Sequence, residues 1–100
     1  MDERLLLLAP GDNVLVLRGA LEAGDTVALE EGRATVETRL GLGHKIARHG
    51  IPEGGRIVKY GAPIGTATEA IAPGAHVHVH NVKSEYTPTY ALASSEEVPT

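Results

Sequence analysis

A mainly β domain of short bent strands with one short helix is the fold this sequence predicts, on three observations. Apolar runs are short, Gly and Pro (12 and 6 residues) interrupt them throughout, and one turn-forming unit recurs three times. The unit reads Leu21-Glu22-Ala23-Gly24-Asp25-Thr26-Val27, Ile51-Pro52-Glu53-Gly54-Gly55-Arg56-Ile57 and Ile71-Ala72-Pro73-Gly74-Ala75-His76-Val77. In each, an apolar anchor is followed three residues later by Gly and six later by a second apolar residue. Gly supplies the positive φ that a type II turn demands and Pro presets an earlier turn position, so each unit is a turn feeding a strand.

In chain order, the run Leu5 to Ala9 ends at the turn Pro10-Gly11-Asp12, and Asn13 to Leu17 is a buried strand closed by Gly19. Asp12 and Asn13 are read as turn formers. A turn at Glu30-Glu31-Gly32-Arg33 leads into a half-exposed strand, Ala34 to Leu40, with Thr35, Glu37 and Arg39 on its polar side. Gly43 can start and Gly50 stop a two-turn helix with Leu42, Ile46 and Ala47 on its apolar side and His49 at its C-terminal end. Arg56 to Tyr60 is a strand, and Gly61-Ala62-Pro63-Ile64-Gly65 is a loop or sharp bend, since a regular strand interior does not accept this Gly/Pro pattern. Thr66 to Ala70 resumes extended structure. From Ser84 the chain is polar, contains Pro88 and Pro99 and shows no period. Residues 1–83 therefore form the domain, and 84–100 a loose tail suited to docking on a partner subunit.

Composition narrows the function. One domain of this length buries roughly 60 to 70% of its unfolded surface, and with no Phe or Trp its core must be Val, Ile, Leu and Ala. So thin a core points to dependence on a partner. The absence of Cys excludes a disulfide scaffold, a thiolate nucleophile and a cysteine-ligated metal within these residues. A net charge of −4 with 9 scattered Lys and Arg gives no basic patch for nucleic acid. The apolar run at Leu5 is far below the roughly 20 residues of a membrane span. It follows acidic residues, unlike a signal peptide, so the expectation is a cytoplasmic protein.

The chemistry concentrates in two places. In Ile71 to Asn81, His76, His78 and His80 alternate with Val77 and Val79. An extended strand would put the imidazoles on one face and the valines on the other. Two readings of it stand side by side: imidazoles holding a metal or a substrate anion, or a half-exposed strand whose polar face is histidine. The second place is Gly43-His44-Lys45. Free N–H groups at a helix start, the Lys45 charge and His44 as acid or base suit a carboxylate or phosphate, against an ordinary glycine-capped helix. Tyr60 and Gly61, before Pro63, line a ligand loop or bury a tyrosine with a satisfied hydroxyl. No Gly-x-Ser-x-Gly, P-loop or Gly-x-Gly-x-x-Gly is present, and Ser84, Ser94 and Ser95 have no fixed His–carboxylate pair.

Taken together, Gly11-Asp12-Asn13-Val14, Leu42 to Ala47 (LGHKIA), Ile57 to Gly65 (IVKYGAPIG), Ile71-Ala72-Pro73-Gly74 and His76 to Asn81 (HVHVHN) resemble the N-terminal SAF-type domain of the altronate and galactarate dehydratases, the UxaA family. The resemblance spans roughly residues 8 to 83 and implies a β-clip fold. In that family the domain is fused to a large catalytic domain or is a separate small subunit, and this chain resembles the latter. The implied reaction is dehydration of a sugar acid: a base removes the proton next to a carboxylate, a divalent cation (Fe, Mn or Mg) stabilises the enediolate, and water leaves to give a 2-keto-3-deoxy acid. Relatives of the same build are sulfolactate sulfo-lyases, in which sulfite leaves. On this reading His44 and Lys45 are catalytic and Gly43, Tyr60 and Asn81 contact substrate. His76, His78 and His80 hold a metal shared with a large catalytic partner, and homo-oligomers are compatible. The family often carries Glu where this chain has Ala75, which removes a candidate carboxylate ligand. A β-clip domain also serves elsewhere as a non-catalytic carbohydrate-binding or assembly module, and that is the second hypothesis.

Overall fold

The computed structural model describes residues 2–30 and 32–84. Its elements there are all strands: β1 (Leu5–Leu6), β2 (Val14–Leu17), β3 (Thr26–Leu29), β4 (Gly32–Thr35), β5 (Lys45–Ala47), β6 (Arg56–Lys59), β7 (Ala62–Ala67), β8 (His76–Val77) and β9 (Val82–Ser84). They form a four-stranded sheet in the order β1-β2-β5-β8, a hairpin β3-β4 and a three-stranded sheet β6-β7-β9, with every pairing antiparallel. The mainly β expectation holds. Ser84 closes β9, and the remainder of the expected tail lies outside the described residues. Among the described residues no helix is long and apolar enough to cross a membrane.

The uninterrupted apolar sequence of β2 follows from its place between two cores. Leu15 and Leu17 pack with Leu5, Leu21, Val27, Val36, Leu40 and Ile46 on one side of the sheet. Val14 packs with Ala47, Ile51, Ile57, Ala67, Ile71 and Val77 on the other. A strand covered on both faces has no solvent side to mark with polar residues. Each large side chain so buried contributes about 1.5–3 kcal/mol. The hairpin β3-β4 closes the first core and the sheet β6-β7-β9 the second.

The expected helix at 43–50 is absent, and the recurring turn explains why. Leu40-Gly41-Leu42-Gly43-His44-Lys45-Ile46 is a fourth copy of the unit, with the same spacing of anchor, Gly and second apolar residue. All four glycines have positive φ: 92° at Gly24, 84° at Gly43, 84° at Gly54 and 82° at Gly74. Each turn is closed by the following residue, Asp25 N–H to Glu22 O at 2.9 Å, His44 to Gly41 at 3.3 Å, Gly55 to Pro52 at 2.8 Å and Ala75 to Ala72 at 3.0 Å. The anchors pair two by two, Leu21 with Leu40 and Ile51 with Ile71. Ile46 and Ala47 are both buried, but on opposite faces of β5, which a helix could not achieve. Leu42 is left 68% exposed at the turn tip, and His49 is an exposed residue after a strand.

Three further expectations need correction. The strand predicted over 34–40 ends at Thr35, after which only Val36 and Leu40 turn inward. Of the segment 61–65, Gly61 is a turn residue and residues 62–65 belong to β7, not to a loop. Pro63 is accommodated where, among the described residues, β9 pairs with β7 only from Gly65 onward, and opposite a register shift at Ile57/Val58. The histidine strand stops after Val77. Residues 78–81 turn, closed by Asn81 N–H to His78 O at 3.0 Å, and Val79 is 80% exposed instead of lining an apolar face.

Asp12 and Asn13 do more than form a turn. The Asp12 carboxylate is buried and accepts N–H bonds from Ala9 (3.1 Å), Tyr60 (2.7 Å) and Gly61 (2.8 Å). Burial works to raise its pKa, but those bonds together with the nearby Arg48 charge outweigh it and the net direction is down. Asn13, the residue before β2, accepts from Val58 N–H at 2.8 Å and donates to Arg56 O at 2.7 Å, so its side chain joins the start of β2 to β6 in the other sheet. Together they fasten the end of the central sheet to the β6-β7 hairpin.

Candidate functional site

Two of the four turns bring the histidines together. The Gly43 turn ends at His44, and the Gly74 turn ends at Ala75, directly before His76 on the strand beside it. His76 lies across from Ile46 and shares its face of the sheet. The His44 Nδ1 and His76 Nε2 atoms are 3.0 Å apart. His78, past the end of β8, stacks on His76 at 5.4 Å between ring centroids and 11° between planes, and its ring is 5.5 Å from His44. One nitrogen from each of His44, His76 and His78 lies within 4.8 Å of the others. His80 is exposed and tilted against His76 at 5.4 Å, outside that trio.

Asn81, expected to contact substrate, has another task here. It is buried, with its Oδ1 accepting from His78 N–H at 3.0 Å and its Nδ2 donating to His76 O at 2.9 Å. The amide therefore sets the backbone that carries both rings, as an Asn side chain commonly does in a turn. Gly43 gives its N–H to Leu17 O at 2.9 Å, so its role is conformational. Tyr60 is neither buried nor beside the histidines: it is 76% exposed, at φ 55°, with its N–H held by Asp12.

The sequence placed His44 and Lys45 together; strand alternation parts them. Lys45 lies across from Val16 and Val77, so its side chain leaves the sheet on the face opposite Ile46 and His76. It is half-buried, and burial, then the nearby Lys59 charge, lower its pKa. Among the described residues neither lysine has an acidic partner, whereas Arg4, Arg39 and Arg48 are all ion-paired. This pair escaped sequence reasoning because Lys45 and Lys59 lie on separate strands with nothing in their spacing to link them.

His76 is surrounded by basic groups. Burial first, then His44, His78, His80 and Lys45, lowers its pKa from 6.5 to about 4. The ring is neutral at pH 7, its usual form as a metal ligand. The sign follows from linkage: the unfolded chain takes up this proton near 6.5 and the folded chain only near 4, so stability falls as pH drops through that window and levels off below it. Thermal unfolding of the chelator-treated chain between those pH values is expected to show a shallower slope for His76→Gln than for the unchanged protein. Beside the cluster runs an open groove of about 620 Å³ lined by His76, His80 and Asn81 at the histidine turn and by Arg33, Thr35 and Glu37 opposite.

The family model of the altronate/galactarate dehydratase SAF domain matches residues 3–85. The chain belongs to this SAF-domain family. It is 40% identical over 73 residues to altronate dehydratase of Escherichia coli K12, a match covering 73% of this chain and 15% of that protein. It is 38% identical over 87 residues to altronate dehydratase of Bacillus subtilis 168, covering 79% of this chain and 18% of the relative. The SAF-type chain thus spans less than a fifth of those enzymes. Against (2R)-sulfolactate sulfo-lyase subunit alpha of Chromohalobacter salexigens it is 35% identical over 78 residues, and here the match covers 72% of this chain and 82% of the relative.

Proposed function

We propose that this SAF domain is the small component of a hydro-lyase acting on a sugar acid of the altronate or galactarate type, and that it completes an active site whose larger part lies on a catalytic partner. The observation that carries the reading is the cluster of His44, His76 and His78, brought together by two turns, locked by Asn81 and, among the described residues, without a carboxylate. Such a wall of imidazoles needs acids and substrate contacts from elsewhere. The size match to a relative that is itself named a subunit supports a separate small component. The same relative supports a second reading, the small component of a sulfolactate sulfo-lyase, in which sulfite rather than water leaves.

The donor set fits a divalent cation, since neutral imidazoles suit Fe and other transition metals, whereas Mg prefers oxygen ligands. When bound, such a cation supplies positive charge beside the substrate's carboxylate and the negative charge that builds up on proton removal. The chain's own contribution is to hold His76 neutral and the three rings aligned. Lys45 and Lys59, half-buried and without acidic partners among the described residues, form a second element suited to an anionic group at the partner boundary. An unpaired ammonium held against desolvation costs stability and is retained where function uses it. Lys45→Met is therefore expected to keep or raise the unfolding temperature while raising KM in the assembled enzyme.

Co-expression with a large altronate-dehydratase-type or sulfo-lyase-type subunit, followed by assays on altronate, galactarate and (2R)-sulfolactate, tests the reading. A co-purifying pair active on a sugar acid supports the first version, and activity on sulfolactate alone supports the second. Failure to associate with either partner refutes both and favours a non-catalytic binding module.

A further inference from the structure

The geometry points to a metal site of defined composition on this chain: His44, His76 and His78 together bind one divalent transition-metal ion through three imidazole nitrogens, and His80 is not a ligand. This deepens the lyase reading and rests on it for its biological purpose, although the binding itself belongs to this chain alone. The set differs from that drawn from the alternation His76-His78-His80, because the chain turns after Val77 and a residue from β5's leading turn takes the third place.

Three features make the trio a site and not three surface rings. The ligand atoms already lie within 4.8 Å of one another, with one pair at 3.0 Å. An ion bonded to each nitrogen at about 2.0–2.1 Å draws them together by small ring rotations without moving the strands. The two segments are tied on each side: Gly43 N–H to Leu17 O at 2.9 Å holds the His44 turn, and Asn81 bonds both His76 O and His78 N–H. Burial is graded, with His44 and His76 half-buried and His78 exposed, so an ion held there keeps one side open. That is the arrangement of a catalytic site, in which three protein ligands leave a position for substrate or for a partner's side chain. Three imidazoles, with no carboxylate joining them among the described residues, select Fe, Co, Ni or Zn over Mg or Ca.

The test uses the full 100-residue chain without an affinity tag, stripped with chelator and titrated alone with Co2+ and Zn2+ by calorimetry, with visible absorption reporting the Co2+ environment. The expected result is one ion per chain, Co2+ displaced by Zn2+, and no competition by Mg2+. His44→Ala, His76→Ala and His78→Ala should each weaken binding about a hundredfold or more, beyond the 10–100-fold lost when outer partners of metal ligands are removed. His80→Ala and His49→Ala should bind as the unchanged chain does. Because His78 is exposed in a turn, its substitution leaves the fold intact and keeps the test valid if His76→Ala does not fold. Absence of saturable binding overturns the inference, and so does loss of binding in His80→Ala with retention in His44→Ala. Binding is read on the chain alone and the lyase reading on turnover of the pair, so either can fail without the other.

Discussion

Gly74→Ala is expected to cost about 3 kcal/mol of folding stability, the sum of backbone strain of about 1–2 kcal/mol and overpacking of about 1–3 kcal/mol. Its φ is 82°, and an added Cβ would lie 2.2 Å from the Ala34 Cβ, with Leu29 Cδ1 at 3.5 Å. Gly74 is where the turn leading to β8 presses on the β3-β4 hairpin, and its N–H donates to Ala47 O at 2.8 Å. The fourfold repetition provides the control. Gly54 has φ 84° in the same kind of turn with nothing within 4 Å of an added Cβ, so Gly54→Ala should cost only the strain, about 1 kcal/mol. Urea unfolding of the two variants separates the effects. Equal losses would mean that the close packing of Gly74 is not what holds the histidine strand in place.

The largest effect on activity is expected at the histidine trio. Removing any one imidazole of His44, His76 or His78 should lower kcat/KM of the assembled enzyme by about a hundredfold or more, because each supplies a donor that nothing else in the cluster replaces. His80→Ala, one ring away, should stay within a few-fold. The comparison is informative because His78 and His80 are both exposed and sit two residues apart. A general surface or charge effect would strike them alike, whereas the geometry separates them. Steady-state kinetics of the reconstituted pair over the four single variants decides the matter.

Much of the architecture was legible from residue order. The turn unit at Leu21, Ile51 and Ile71 gave the β-rich class correctly, and the continuous apolar run of β2 marked a strand covered on both faces. The helix error arose at Gly43, where glycines flanking a short apolar stretch match a capped helix as well as a turn. Only the spacing shared by Leu40, Gly43 and Ile46 with the other three copies distinguishes the two. The candidate site was legible in part. His44, His76 and His78 were all singled out, but strict alternation was carried through to His80, because local spacing does not show that Asn81 spends its side chain on bending the chain back. Lys45 leaves the sheet on the face opposite His76 for the complementary reason that neighbours in an extended segment, unlike those at a helix start, face opposite ways. The Asp12 carboxylate, which ties residues 48 and 49 positions away, left no mark in local sequence beyond a turn-like Gly-Asp-Asn.

Whether this chain completes the active site is read most directly from lyase turnover by the large catalytic component with and without it. Neither component alone is expected to eliminate water or sulfite from its substrate, the mixture is expected to do so, and the mixture made with His44, His76 and His78 all changed to Ala is expected to be as inactive as the large component alone. Full turnover by the large component without this chain, or with the triple variant in its place, would contradict that role.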